Sequence, residues 1–320
     1  MDKHFIKNLE ITKFKCFSDF EIKDFGRVNL ISGKNNIGKT ALMEAIYINC
    51  YSKNIDTLFT AITNIQFKRD LLEYVRKDVK KEDIVKSFEN IKNYSSKSNI
   101  NEMEYFFLNK DGKKEYKFKI NDKDLALNVN EFSYHNENIS NIDYVATKGI
   151  SNDALKLVYT KLQRIDKEDE LNKYINEFDN SIEKFKLFDK SPECKLKGEG
   201  EYRKINEFGD GLKNYIAIIC ALYASTNGYL FIDEIESGVY YTQLDKLWEI
   251  ILEISKKQNV QVFATTHSKE CIESFNRVSK RLEDNEIKFI ELFKHDNKIE
   301  SIILDNEMLD YQLNQNHEVR

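Results

Sequence analysis

Residues 33–40, which read Gly-Lys-Asn-Asn-Ile-Gly-Lys-Thr, constrain the fold of this chain more than any other segment. They follow the apolar run 28–31, which predicts a buried strand, and they precede the apolar spacing of a helix. Glycines in a loop between a strand and a helix let the backbone turn tightly enough for successive amide groups to face one anion. The pattern G-x-x-x-x-G-K-T in this context predicts a phosphate-binding loop.

Two side chains of this loop have predicted roles of their own. Lys39 is expected to reach the β- and γ-phosphates of ATP, and the Thr40 hydroxyl is expected to hold Mg²⁺. The rest of the predicted nucleotide contact comes from the loop backbone and the first turn of the helix: Gly33, Lys34, Asn35, Asn36, Ile37, Gly38 and Ala41. The alternative, a lysine-bearing surface turn, is less favoured because the loop lies between a strand and a helix.

A second cluster of candidate residues ends the hydrophobic run 229–232, which Asp233 and Glu234 follow directly. Ligands in open α/β sheets bind at the carboxyl ends of the strands, so these carboxylates are expected beside the phosphates. Asp233 is predicted to hold the hydration shell of Mg²⁺. Glu234 is predicted to orient or deprotonate the attacking water. The alternative is a hydrophobic strand that happens to end in acidic residues.

Two further features join this pattern. His267 lies at the end of the predicted buried strand 260–268, one predicted helix after the carboxylates, so it should lie on the neighbouring strand beside Glu234. The alternative is a structural histidine, which is the more common case for an isolated histidine at a strand end. The loop Gly209-Asp210-Gly211 precedes the apolar helix 215–223 and is a second anion-binding device, because backbone amides at a helix N-terminus attract negative charge. Taken alone, such a loop is also an ordinary helix entry.

The segments between these motifs predict further strands, helices and loops. Strand, turn and strand are predicted within 5–31, a helix over 39–51, helical spacing over 55–91, a polar loop over 93–101 and a hairpin centred on 109–113. Gln66 is either a nucleotide-site glutamine or an ordinary solvated residue. Lys113, Lys114, Lys117 and Lys119 give the hairpin a basic face, which is either a solvated surface or a contact for a partner or nucleic acid.

The second half alternates helices and strands. A strand is predicted over 142–147, helices over 151–164 and 167–178, strands and turns over 182–206, an amphipathic helix over 240–257 and a hairpin over 286–304. The net charge of −5 does not indicate general nucleic-acid binding. No apolar run has the length of a membrane span, and a cytoplasmic location is expected. The five cysteines are scattered and suggest neither a metal site nor a disulfide framework.

In this order the motifs resemble those of ABC-type ATPases. The similarity is to the branch related to structural-maintenance-of-chromosomes (SMC) and OLD-family ATPases, and above all to the small stand-alone ATPases of the AAA15 and AAA21 type. It rests on residues 11–17, 33–40, 208–213, 231–238, 262–268 and 297–301. The resemblance implies an α/β fold, namely an ABC/SMC-type ATPase head with a mixed central sheet, an antiparallel β lobe and a short inserted helical subdomain. The expected divisions are a first core part over 1–92, an insertion over 93–205, a second core part over 206–305 and a tail over 306–320.

The resemblance also implies a homodimer, or a higher homo-oligomer, in which two protomers enclose two ATP molecules. Residues 208–212 would occupy the signature position, where Gly209, Asp210 and Gly211 face the γ-phosphate of the ATP bound by the partner. Residues 236–238 would lie in the D-loop across the dimer seam, and His267 would sense the γ-phosphate. Because Gly209 replaces the signature serine and Asp210 follows it, this contact is expected to be mostly main-chain.

Similar proteins are ATPase subunits of bacterial antiphage systems of the OLD-like, Septu-like and PARIS-like kinds. The resemblance therefore implies an ATP hydrolase that gates a separately encoded effector, such as a TOPRIM or HNH nuclease, with nucleic acid contacted through that partner. One alternative is a DNA-repair or chromosome-associated ATPase, although the long coiled-coil arm is missing. Another is a nucleotide-dependent scaffold with little turnover, which the residues Gly209 and Asp210 favour. A transporter ATPase subunit fits least well.

Overall fold

The fold was described from a computed structural model of the chain. The structure describes residues 5–50, 103–110, 113–120, 123–128, 142–146 and 149–315. The predicted helical segment 55–91, Gln66 and the polar loop 93–101 lie outside these residues. The side chains of the predicted basic hairpin face also lie outside the described part.

A six-stranded mixed sheet forms the centre of the molecule, in the order β14-β13-β3-β12-β11-β7. Its strands are β3 (Val28–Gly33), β7 (Ile142–Val145), β11 (Tyr229–Ile232), β12 (Gln261–Thr265), β13 (Ile287–His295) and β14 (Lys298–Leu304). All neighbours pair in parallel except β13 and β14, which form the predicted antiparallel hairpin at one edge. The strand β12 lies between the phosphate-loop strand β3 and the carboxylate strand β11. The three motif-bearing strands are therefore adjacent and point the same way.

Apolar residues on both faces of the sheet explain why it is covered on both sides, as buried parallel strands require. Alternate residues of one strand pack into different cores: Phe263 faces the core that contains helix α1 (Lys39–Cys50), and Val262 faces the other core. The hairpin of β1 (Leu9–Phe14) and β2 (Phe17–Ile22) covers the α1 side with aromatic side chains. The predicted early strands and the helix after the loop are confirmed.

Three helices cover the opposite face of the sheet. Helix α4 (Asp210–Ala224) is buried along nearly its whole length, as its uniformly apolar sequence predicts. Helix α5 (Leu244–Gln258) packs beside it, and helix α6 (Lys269–Arg281) packs against α5, where Trp248 of α5 is fully buried against Phe275 of α6. A short 3-10 turn, Tyr241–Gln243, occupies the first positions that the sequence assigned to the α5 helix.

The insertion carries smaller elements. Helices α2 (Asn152–Gln163) and α3 (Glu168–Phe178) confirm the predicted pair, and the antiparallel sheet of β8 (Ile182–Phe188), β9 (Ser191–Leu196) and β10 (Tyr202–Lys204) follows them. The predicted hairpin is present as β4 (Met103–Lys110) and β5 (Lys113–Ile120). A third strand that the sequence did not predict, β6 (Lys123–Asn128), pairs with β5.

Two helices after His267 were not predicted, namely α6 and α7 (Asn306–Asn314), the second lying in the expected tail. Helix α6 repeats Cys271, Ile272, Phe275 and Val278 at helical spacing and is capped by the Ser268 side chain, so its signal was present in the sequence. Helix α7 buries only one apolar residue, Leu309, and its signal is weak. No helix in the described ranges combines the length and the apolar character that crossing a membrane requires.

A buried arginine directly before β3 connects several of these elements. Arg27, which is 3% exposed, precedes β3 and forms an ion pair with Asp284 and a second one with Glu286 at 3.2 Å. Its guanidinium also donates to the Ser255 hydroxyl and, at 3.2 Å, to the Leu252 carbonyl, both on α5. This cluster fastens the start of β3 to helix α5 and to the segment before β13.

Candidate active site

The phosphate loop connects β3 to α1, and its two glycines adopt backbone angles that favour glycine. Gly33 has φ = +142° and Gly38 has φ = +112°. A Cβ atom on Gly33 would lie 2.5 Å from the Leu292 carbonyl oxygen, so a side chain there would displace the strand pairing that holds the loop. Lys34, Asn35, Asn36 and Thr40 are exposed along the loop, where a ligand can reach them.

The Lys39 side chain is turned back into this loop. It is 5% exposed, and its Nζ donates to the carbonyl of Gly33 at 2.6 Å and to that of Lys34 at 3.2 Å. Burial lowers the pKa of Lys39, while the charges of Glu234, Asp233 and Glu236 act in the opposite direction. An ammonium held by two loop carbonyls is well placed to exchange those contacts for phosphate oxygens.

The carboxylates lie across from the loop, at the end of β11. The Thr265 hydroxyl, at the end of β12, donates to Asp233 Oδ1 at 2.7 Å and accepts the backbone N–H of Glu234 at 2.8 Å. The Thr40 hydroxyl lies 3.4 Å from the same Asp233 oxygen. Adjacent strands thus bring the loop threonine and the strand-end aspartate together.

His267 lies between the two halves of this site. Its Nδ1 is 3.1 Å from Lys39 Nζ, and its Nε2 is 3.8 Å from Glu234 Oε1. An ammonium group can only donate, so Nδ1 is the acceptor and the neutral ring carries its proton on Nε2, towards Glu234. The expectation that β12 would bring His267 beside Glu234 is confirmed.

Both the ionised side chain and the backbone conformation of Glu234 are unfavourable. Burial and, to a smaller extent, the neighbouring Asp233 charge raise the pKa of Glu234, and the charge of Lys39 partly offsets this effect. Its backbone is left-handed, with φ = +51°, which is uncommon for a residue other than glycine. Strained residues with raised pKa values cluster at functional sites, because the surrounding structure must hold them in place.

The oxygen ligands at this site suit magnesium. A hydroxyl from Thr40 and a carboxylate from Asp233 are hard donors, and Mg²⁺ commonly binds through one or two carboxylates together with substrate phosphates and water. Within the described ranges no group of three or more His, Cys, Asp or Glu side chains forms a dedicated metal cage. Thr40 and Asp233 are ligands of the kind that would hold Mg²⁺ together with phosphate oxygens and water.

The predicted signature segment lies at the start of helix α4. Gly209 and Asp210 are exposed, and nothing lies within 4 Å of a Cβ atom built on Gly209. Gly211 is buried, and a Cβ atom there would lie 1.9 Å from the carbonyl oxygen of Gly238. In the described part of the chain, no hydrogen bond or ion pair links these residues to Lys39.

Sequence reasoning missed two polar side chains that hold the site together. Thr265 fixes Asp233 and Glu234, and Glu236 accepts the backbone N–H of His267 at 2.8 Å. A hydroxyl at the carboxyl end of a strand next to a carboxylate strand was a usable signal for Thr265. Nothing in the spacing of Glu236 pointed to His267, because their contact depends on the turn after β11.

A family model supports the assignment of this site to a known class of protein. The model described as "AAA domain, putative AbiEii toxin, Type IV TA system" matches residues 28–273, which include the phosphate loop, both carboxylates and His267. The chain belongs to this AAA_21 family. The AAA_21 chain is 26% identical over 334 residues to a Helicobacter pylori (strain ATCC 700392 / 26695) protein named "ATP/GTP phosphatase", covering 85% of this chain and 88% of the relative.

A shorter similarity concerns a DNA repair protein. The chain is 42% identical over 50 residues to the "DNA replication and repair protein RecF" of Bacillus subtilis (strain 168). That match covers 16% of this chain and 14% of the relative, so it shows a shared segment rather than a shared whole.

Solved structures of SMC heads share the fold. The SMC head bound to the C-winged helix domain of ScpA has a TM-score of 0.55 at 12% identity, covering 95% of this chain and 99% of that chain. The Pyrococcus furiosus head with an extended coiled coil has a TM-score of 0.50 at 13% identity, covering 97% and 99%. The predicted fold class, an α/β head of the ABC/SMC type, is confirmed.

Proposed function

We propose that this chain binds ATP with Mg²⁺ at the carboxyl ends of the parallel strands in the central sheet and hydrolyses it there. The observation that carries this proposal is the position of His267, with Lys39 Nζ 3.1 Å from one ring nitrogen and Glu234 Oε1 3.8 Å from the other. The phosphate-loop lysine, the strand-end glutamate and the histidine thus meet around one point. Phosphoryl transfer depends mainly on such positioning and on charge stabilisation.

Each residue has a role in this proposal. Backbone amides of residues 33–41 hold the phosphates, and Lys39 leaves its loop carbonyls to neutralise the β- and γ-phosphates. Thr40 and Asp233 hold Mg²⁺, which supplies charge neutralisation when it is bound. Glu234 accepts a proton from the attacking water, a role that its raised pKa favours at neutral pH. His267 contacts the γ-phosphate and reports its presence.

The proposal extends to a homodimer or higher homo-oligomer that ATP holds together. Gly209 and Asp210 are exposed at the N-terminus of α4, where a second copy can present its bound nucleotide to their backbone amides. This dimer would gate a separately encoded effector, with antiphage defence as its biological role. Support for this part is the family description, which names a toxin system, and the motif resemblance described above.

A DNA-repair or chromosome-associated ATPase is the second candidate function. The 50-residue match to a DNA replication and repair protein favours it. The two candidates share the nucleotide site and differ in what controls it. Hydrolysis that rises with added DNA would favour repair, whereas stable co-purification with the product of a neighbouring gene would favour effector gating.

Phosphate release with ATP and Mg²⁺ tests the proposed reaction, with wild type compared with Glu234→Gln. The wild type should release phosphate, and the variant should still bind ATP but turn over at least about a hundredfold more slowly, because the proton acceptor is gone. Glu283→Gln is the matched control, because Glu283 also has a left-handed backbone conformation but is exposed and lies outside the site. Equal, negligible release from all three proteins would contradict hydrolysis, and ATP binding by the same proteins would then favour a nucleotide-dependent scaffold.

A further inference from the structure

Glu236 lies two residues beyond the proposed proton acceptor, and its two carboxylate oxygens have different surroundings. Oε1 accepts the backbone N–H of His267 at 2.8 Å. Oε2 is buried and has no hydrogen-bond partner among the described residues. A buried carboxylate oxygen without a donor is unfavourable, so the structure around Glu236 must favour this placement for another reason.

The turn that carries Glu236 is held rigidly against β12. The backbone N–H of Ile235 donates to the Thr265 carbonyl at 3.0 Å, and the N–H of Ser237 donates to the Glu234 carbonyl at 2.8 Å. The N–H of Val239 donates to the Glu236 carbonyl at 3.0 Å. These bonds fix the backbone on both sides of Glu236, so the position of its side chain follows the position of the turn.

The same turn contacts the start of helix α4, which carries the exposed signature residues. The Asn214 side-chain amide donates to the Ser237 carbonyl at 3.0 Å. Gly211 packs so closely on Gly238 that a Cβ atom would lie 1.9 Å from the Gly238 carbonyl oxygen. A displacement of the beginning of α4 towards the turn would therefore press against Gly238.

We propose that Glu236 is a positioning residue that holds His267 against Lys39 and Glu234 and links His267 to the start of α4. The chain of contacts runs from Gly211 and Asn214, through the turn at 237–238, to the Glu236 carboxylate and the His267 N–H. A nucleotide docked on the signature residues would thereby shift the histidine at the protomer's own site. This inference rests on the proposed ATP-hydrolysing function.

The competing role for Glu236 is electrostatic. Its charge is one of three that counter the effect of burial on the pKa of Lys39, after those of Glu234 and Asp233. Two substitutions separate the roles. Glu236→Gln keeps an oxygen that can accept the His267 N–H and removes the charge, whereas Glu236→Ala removes both.

Hydrogen exchange of the His267 amide in the nucleotide-free protein tests the contact without relying on hydrolysis. Glu236→Ala should exchange about fivefold faster or more than wild type, since one protecting hydrogen bond is lost. Glu236→Gln should exchange within about twofold of wild type. Wild-type exchange in Glu236→Ala, or equal acceleration in both variants, would overturn the positioning role.

Gly211→Ala tests the link to helix α4 and remains available if Glu236→Ala does not fold. The added methyl group should push the turn away and accelerate exchange of the His267 amide, although residue 211 makes no contact with His267 in the described structure. Lys213→Ala is the control on the same helix, because its side chain contacts Asn152 instead. Unchanged exchange in a folded Gly211→Ala protein would contradict the link.

Turnover measurements complete the test. Glu236→Ala should lower kcat about tenfold with little change in KM, and Glu236→Gln should restore most of it. The double variant Glu236→Ala/His267→Ala should be no slower than His267→Ala, because both act through one side chain. Additive losses would overturn the proposal, whereas absent turnover in wild type would refute the proposed function and leave the exchange result standing on its own.

Discussion

Several residues of the site have unfavourable charge surroundings or an unfavourable backbone conformation in the folded protein. Asp233, Glu234 and Glu236 lie near a single buried lysine, and Glu234 also has a left-handed backbone. Such placements cost stability and persist because the surrounding structure holds the residues in place. The positions of Lys39, Asp233, Glu234 and His267 followed from the sequence, because each follows a strand or begins a helix that the pattern predicts.

The sequence could not predict the groups that fix those residues. The contact from Glu236 to His267 spans 31 residues and depends on how the turn after β11 folds back. The hydroxyl of Thr265 bridges two strands whose adjacency was predicted but whose register was not. Contacts of this kind come from tertiary geometry, which local patterns do not contain.

Glu234→Gln should stabilise the nucleotide-free protein at pH 7. The folded pKa of Glu234 lies above its ordinary value, so the charged form is disfavoured in the fold and the destabilisation is fully present above that raised pKa. As pH falls below the ordinary carboxyl range, wild type and variant should converge. Thermal melting between pH 4 and 8 checks this.

The control for that melting series is Glu283→Gln, which changes a glutamate with a left-handed backbone conformation outside the site. It should melt like wild type at every pH. A Glu234→Gln protein that melts lower than wild type at pH 7, or a difference that does not change with pH, would contradict the assigned electrostatics.

Element order explains why the site forms where it does. Strand β12 lies between β3 and β11, so the phosphate loop, the histidine and the carboxylates lie side by side at the carboxyl ends of three adjacent strands. The sequence predicted these strands because each is a short apolar run between turns. It did not predict α7, which begins with a cap from the Asp305 side chain and buries few apolar residues, so tertiary contact rather than periodicity defines it.

Arg27→Ala should destabilise the fold more than any surface change. The substitution leaves Asp284 buried without its partner and cuts the connection from β3 to α5, which typically costs about 3–5 kcal/mol for a buried pair. Urea unfolding followed by circular dichroism measures the loss. Lys23→Ala, which removes an exposed ion pair with Glu21, should leave the unfolding midpoint near that of wild type. Equal midpoints for the two variants would contradict a structural role for the Arg27 cluster.

The whole molecule is acidic, with a net charge of −5, and the proposed dimer would bring two copies together around nucleotides that are also negative. In the proposed dimer the exposed Asp210 adds a further negative charge beside the partner's triphosphate. Main-chain amides at the start of α4 supply the attraction, and Mg²⁺ offsets the repulsion. Dimerisation should therefore be weak and sensitive to the charge at this position.

Asp210→Asn should increase the fraction of dimer formed with ATP and Mg²⁺, because one repulsive charge leaves the seam. Light scattering of this variant in the Glu234→Gln background, where ATP persists, measures the change. Glu207→Gln removes another exposed charge, from the 3-10 turn Ile205–Phe208 that precedes α4, and should have a smaller effect. A dimer fraction that falls in Asp210→Asn would show that Asp210 makes an attractive contact instead.

The most direct test of the nucleotide site is a crystal structure of Glu234→Gln grown with ATP and Mg²⁺. We predict the triphosphate along residues 33–41, with Lys39 moved from its loop carbonyls onto phosphate oxygens, the metal between Thr40 and Asp233, and His267 within hydrogen-bond distance of the γ-phosphate. A triphosphate bound elsewhere, or a His267 side chain remote from it, would contradict the account.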